Sequence, residues 1–230
     1  MQRTAIVTGA ASGIGRGLAE GFAEAGYRVL GIDLQAVGEP VAGVEPVMLD
    51  VTDADAVARF GEGLESLDAV VNAAGVIRRM EEFDPEVFQR VVDINLNGVM
   101  RVCAACRPAL ARGGGAIVNI ASMLSFFGGP LVPAYSASKG GIVTLTKSLA
   151  AAWAGEGIRV NALAPGWIAT PLTQALQDDP ARSRPILERT PMGRWGTPGD
   201  LVGPALFLTS PAAAFVTGVV LPVDGGYSSV

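Results

Sequence analysis

Short apolar runs rich in Val and Ile recur along the chain at 4–8, 28–33, 45–50, 69–73, 116–121, 159–164 and 218–223. Their apolar residues are nearly continuous rather than alternating with polar ones, the pattern of strands buried on both faces. Longer stretches of helical composition separate most of them, at 15–25, 53–64, 85–110, 135–153 and 199–209. Such alternation predicts an α/β fold, a seven-stranded, mostly parallel, doubly wound sheet with helices on both faces. The interval 34–44 contains Gly38, Pro40 and Gly43 and is barely long enough for a crossover, so it predicts a loop or a single turn. Residues 170–194, with Asp178-Asp179-Pro180 and few apolar runs, predict a mobile lid. No internal repeat or low-complexity linker breaks the pattern, and one domain over 1–230 is expected.

A chain that is 50% hydrophobic can fill such a core. Its formal charge of -5 argues against nucleic acid or an anionic membrane as partner, since both select basic patches. No apolar run approaches the roughly 18 residues that cross a bilayer, and the start of the chain leads directly into a strand pattern rather than a signal peptide, so a cytoplasmic location is expected. The sequence has no His, which removes Ser-His-Asp and Cys-His nucleophile mechanisms and with them the common hydrolases. Cys103 and Cys106 form a C-x-x-C, but without His or further Cys they fall short of a zinc site; helix packing is their expected role and no metal is expected.

General acid chemistry must then come from Tyr, Lys, Asp, Glu or Cys, and one pair has the spacing for it. Tyr135 and Lys139 lie four residues apart, one above the other on a helix face. A fixed ammonium favours the phenolate and lowers a pKa that is otherwise about 10. Lys139 and Lys147 are the only lysines among 17 basic residues, so a chain that otherwise uses Arg has a compact, rotatable ammonium here. A second constellation follows the first strand. Gly9, Gly13 and Gly15, with Ser12 and Ile14 between them, permit a tight turn that brings backbone N–H groups to a pyrophosphate at the next helix's N-terminus. Asp33, at the end of the second strand, can accept from the ribose hydroxyls and repel a 2′-phosphate, which predicts NAD rather than NADP.

Taken with Asn72-Ala73-Ala74-Gly75, Asn95 and Ser122 in order, these motifs resemble those of the short-chain dehydrogenase/reductase family over essentially the whole length. The resemblance implies a Rossmann fold. It makes Tyr135 the proton donor or acceptor for the substrate oxygen, with Lys139 lowering its pKa and holding the nicotinamide ribose. Ser122 would hydrogen-bond the reacting carbonyl or alcohol, and Asn95 would hold a water that relays protons from Lys139. Asp50 and Val51 would meet the adenine, Gly75 would line the floor beneath it, and Pro165, Gly166, Ile168 and Thr170 would hold the carboxamide. Ala73 departs from the pattern, where the family usually has a second Asn.

A narrower similarity, to the dehydrogenases of keto-deoxy sugar acids such as 2-dehydro-3-deoxy-D-gluconate, runs through 75–79, 119–126 and 191–198. It implies a small-molecule sugar acid as substrate, with Arg78, Met123, Arg194 and Trp195 around it. Arg78, Arg79 or Arg194 could supply the cation that a carboxylate needs. Met123, Leu124, Phe126, Phe127, Trp167 and Trp195 could equally wall a pocket for a cyclic ketone. A non-catalytic NAD sensor would have no use for Ser122, Tyr135 and Lys139. By the same resemblance the two longest helices pair across two-fold axes into a homotetramer.

Overall fold

The computed structural model describes residues 2–35 and 41–230. Seven strands form one sheet: β1 (Thr4–Thr8), β2 (Arg28–Asp33), β3 (Val44–Met48), β4 (Ala69–Asn72), β5 (Ala116–Ile120), β6 (Arg159–Pro165) and β7 (Val220–Val223). Their order is β3-β2-β1-β4-β5-β6-β7, and every neighbouring pair is parallel. The chain builds outward from β1 to β3, then returns to place β4 on the other side of β1. That reversal opens a crevice at the carboxyl ends of β1 and β4, where ligands of open parallel sheets bind.

The central strands are buried and mostly apolar because both faces are covered, with Asn72, Asn119 and Asn161 the buried polar exceptions in β4, β5 and β6. One core joins Ile6, Val70 and Ile117 to Val57 of α2 (Ala54–Glu62), Val102 and Cys103 of α4 (Gly98–Ala111) and Ile142 of α5 (Pro133–Trp153). On the opposite face, Val7, Val71 and Val118 pack with Leu18 and Phe22 of α1 (Gly13–Glu24) and with Leu201 and Leu208 of α8 (Gly199–Thr209). Truncating a side chain such as Ile117, fully buried between these layers, typically costs about 2–5 kcal/mol. Cys103 and Cys106 are free and buried in the first core, as helix packing requires, and burial pushes their thiols up.

Several expected elements have other bounds or internal breaks. The helix expected at 85–110 is α3 (Pro85–Val92), a π turn at Asp93–Asn97, and α4. The polar residues Asp93, Asn95 and Asn97 mark the break, and Asn95 is wholly buried there. The third strand stops at Met48, which leaves Leu49 and Asp50 free to turn into the crevice, and the last begins at Val220. Within the expected lid, residues fold as a 3-10 turn (Pro171–Thr173), α6 (Gln174–Gln177) and α7 (Pro180–Arg189). Asp179 caps α7, accepting from the Ala181 amide at 2.9 Å. The loop expected at 34–44 falls largely at 36–40, outside the described residues.

Candidate active site

A cleft of about 590 Å³ opens at the switch point, a size in the range of ligand sites. Its first wall is the glycine turn. Gly9 and Gly13 have φ of 72° and 57°, the left-handed region that glycine enters at little cost. At Gly15 the constraint is space, since a Cβ would stand 2.1 Å from the Gly9 carbonyl oxygen. The helix that follows, α1, has extended Ser12 at its N-cap with no side-chain cap, whereas Asp53 and Asp84 cap α2 and α3. Its first-turn amides therefore face the cleft without a protein acceptor, which suits a pyrophosphate.

Asp33 lies across from that turn. Its carboxylate accepts from the Ala11 amide (3.0 Å) and the Gln35 amide (3.1 Å), so it is oriented by backbone on both sides. Asp50 is fixed by Thr52, whose amide and hydroxyl donate to one of its oxygens at 2.8 and 2.7 Å. Gly9, Ser12, Gly13, Ile14, Gly15, Asp33, Asp50, Val51, Ala73, Gly75, Tyr135, Lys139 and Thr170 all line this cleft. A close-approach glycine cradle, an uncapped helix and a carboxylate at the strand end fit a dinucleotide.

The other end carries titratable chemistry. Ser122 ends the segment after β5 and begins a 3-10 turn, its hydroxyl accepting from the Leu124 amide at 3.1 Å. Ser125 clamps that turn to α5: it accepts from the Ser122 amide and donates to the Lys139 carbonyl at 2.7 Å. Half-buried Tyr135 points its phenol at this turn. Burial pushes the phenol pKa up; the Ser122 hydroxyl and the Arg79 guanidinium act downward, and the Glu82 carboxylate acts upward.

Lys139 stands beside this phenol on the same helix face. Its ammonium donates to the Ile120 carbonyl at 2.6 Å and lies 5.7 Å from the centre of the Tyr135 ring, and burial lowers its own pKa to about 8. A buried ammonium takes the nearest strong acceptor, here a strand-end carbonyl. The Arg79 guanidinium is a second cation that acts on the phenol.

Asn95, turned inward by the π turn, binds Val76 twice: its side-chain oxygen accepts from the amide at 2.8 Å, and its nitrogen donates to the carbonyl at 2.9 Å. It also reaches Ser138 at 3.3 Å, tying the strand-end loop to α5.

Several expected residues are elsewhere. Asn72 lies beneath the cleft, donating to Asn119 at 2.9 Å. Pro165 ends β6 and Gly166 follows it, neither lining the main cleft, and Ile168 lines a smaller cavity with Trp167, Thr190 and Arg194. Arg194 is exposed and paired with Asp200 at 2.8 Å, so its charge is already met. Trp195 donates to Ser183 of α7 at 3.0 Å and packs edge-on against Trp167, which makes it an anchor for that helix. Met123 is buried under the Ser122 turn, and Arg78 is exposed. Ser125, Ser138 and Glu82 have no motif of their own; only tertiary proximity reveals them.

Comparison with known proteins gives the same picture. The family model described as Enoyl-(Acyl carrier protein) reductase matches residues 9–228. The chain belongs to the short-chain dehydrogenase/reductase family. It is therefore an oxidoreductase that works with a nicotinamide dinucleotide. Among curated members, 2-dehydro-3-deoxy-D-gluconate 5-dehydrogenase of Bacillus subtilis (strain 168) is 43% identical, covering 99% of this chain and 95% of its own length. A solved structure from Beutenbergia cavernae, described as an NAD(P)-dependent gluconate 5-dehydrogenase with NADP bound at low occupancy, superposes with a TM-score of 0.94 at 45% identity, covering 99% of this chain and 97% of that one. Another from Agrobacterium tumefaciens, described as a 2-deoxy-d-gluconate 3-dehydrogenase with bound NADP, gives 0.92 at 42%, covering 99% and 97%. Among the described residues no helix of this short-chain dehydrogenase/reductase is long and apolar enough to cross a membrane.

Proposed function

We propose that this protein is an NAD-dependent dehydrogenase that interconverts a secondary alcohol and a ketone on a keto-deoxy sugar acid or related carbohydrate acid, with Tyr135 as general acid and base. The observation that carries this reading is the convergence of the Ser122 hydroxyl and the half-buried Arg79 guanidinium on the phenol of Tyr135, which lines the dinucleotide cleft. Among the described residues no carboxylate lies within ion-pair distance of Arg79, so its charge is open to an anionic substrate; this favours Arg79 over Arg78 and Arg194.

In the proposed chemistry a bound nicotinamide accepts or supplies the hydride. Around the reacting oxygen Ser122 and Tyr135 supply hydrogen bonds that strengthen as charge develops there. In reduction the Tyr135 phenol gives its proton to that oxygen; in oxidation the phenolate takes it back. Lys139, held by the Ile120 carbonyl, keeps an ammonium on the same helix face, where it would hold the ribose. Asn95 fixes the loop after β4 against α5, and Val51, Asp50 and Gly75 bound the adenine side.

The preference for NAD rests on Asp33, and the NADP in two solved relatives makes it the part most in need of a test. Assembly as a homotetramer through α4 and α5 belongs to the same proposal; a monomer mass in light scattering would contradict it. Reduced-cofactor absorbance should be followed with sugar acids, polyols and cyclic ketones, each with both coenzymes. Turnover of sugar acids with NAD supports the proposal, and turnover confined to uncharged ketones or to NADP contradicts it.

A further inference from the structure

Glu82 is a glutamate with 1% of its surface exposed, and among the described residues it has no ion-pair partner. A buried carboxylate persists only where hydrogen bonds replace water. Its two oxygens are used separately. One accepts from the Arg78 amide at 2.8 Å, and the other accepts from the Tyr135 amide at 2.8 Å, 53 residues along the chain.

The second bond answers a need of α5. The N-cap of that helix is Val132, which has no polar side chain and makes no cap hydrogen bond, whereas α2, α3 and α7 each begin on an aspartate that caps its own first turn. The helix that carries Tyr135 therefore takes its cap, and a negative charge at its positive end, from another element. The first bond closes the turn that carries Arg79. Within that turn Met80 has φ of 68°, the only positive value outside glycine among the described residues, and its amide donates to the Leu131 carbonyl at 2.9 Å. The turn is thus pinned twice to the segment that starts α5, at a cost in backbone strain.

We propose that Glu82 is a positioning residue: its carboxylate joins the amino end of α5 to the 78–82 turn and thereby sets the spacing between the Tyr135 phenol and the Arg79 guanidinium. This rests on the reading of Tyr135 as the acid. The charged and polar groups that face the phenol are Arg79 and Glu82 from that turn, Ser122 from the turn after β5 and Lys139 on its own helix, while Arg182 of α7 faces Arg79. Glu82 and Arg79 act on the phenol in opposite senses, so removing the carboxylate charge leaves the guanidinium unopposed and moves the titration to lower pH.

The test uses Glu82→Gln and Glu82→Asp in the full chain, with Tyr135→Phe as spectral reference. Ultraviolet difference titration reads the phenol directly, beside thermal melting, NAD binding and the steady-state pH profile. Glu82→Gln should move the phenol titration down by about half a pH unit or more and lower kcat roughly tenfold, with NAD affinity within about twofold. Glu82→Asp keeps the charge but is one methylene too short to reach both amides, so kcat should fall while the titration moves less. A folded variant with native kcat and a native titration overturns the proposal. Loss of the fold in both also overturns it, because the carboxylate then serves general stability. If Tyr135→Phe retains turnover the site reading fails; if it is inactive while both Glu82 variants match wild type, only this inference fails.

Discussion

The two ends of the cleft are built on different principles. At the end proposed for adenosine the backbone does the work: a left-handed glycine turn, an uncapped helix and Asp33 held by two amides. At the end proposed for substrate, side chains from four separate segments meet: Ser122 after β5, Tyr135 and Lys139 on α5, Arg79 from the turn before α3, and Arg182 on α7. The first end can be specified locally, by residues whose spacing in sequence is their spacing in space. The second exists only once the sheet has brought distant segments together, and its selectivity can change without touching the first.

That contrast predicts separable phenotypes. The largest should come from Arg79→Ala, which raises KM for a carboxylate substrate about 10- to 100-fold, the equivalent of a charge-assisted hydrogen bond, and leaves NAD affinity unchanged. Equal losses toward acidic and uncharged substrates would show that Arg79 is not the anion's partner. Next is the pH response. Because burial raises the Tyr135 pKa, alcohol oxidation, which needs the phenolate, should climb up to tenfold per pH unit above neutrality. Ketone reduction needs the protonated phenol and should hold through neutral pH, then fall. Parallel profiles in the two directions would break this assignment.

At the adenosine end Asp33→Ala should shift the NADP to NAD preference by about tenfold, with the KM for the sugar acid unmoved. An unchanged ratio would remove Asp33 from coenzyme choice. The smallest effect is expected at Arg194→Ala, within about twofold in kcat/KM, since an exposed pair with Asp200 contributes little. A large rise in KM would instead return Arg194 to the substrate site.

What the sequence made legible follows the same division. Val and Ile runs marked all seven strands, and burial on two faces explains their continuity in the central ones, whereas the edge strands β3 and β7 are partly exposed. The glycine turn, Asp33 and the Tyr135–Lys139 pair were visible because each is a local spacing. The break in the helix at 93–97 was not, since a π turn needs only one extra residue and its polar signature, Asp93-Ile94-Asn95, also fits a helix surface. Glu82 was hidden for a different reason: nothing in Glu81-Glu82 distinguishes a solvated carboxylate from one buried against α5. Arg194 looked like a candidate cation until the fold supplied Asp200 as its partner. Helical spacing likewise brings Lys139 to the face of Tyr135 without saying that the Ile120 carbonyl takes its ammonium.

The account depends most on the Tyr135 hydroxyl as the group that exchanges a proton with substrate. Its most direct test is Tyr135→Phe, with NAD affinity by calorimetry and hydride transfer by single-turnover absorbance. Loss of about 10²- to 10⁴-fold in hydride transfer at unchanged NAD affinity is the predicted result. Hydride transfer at the wild-type rate would contradict it.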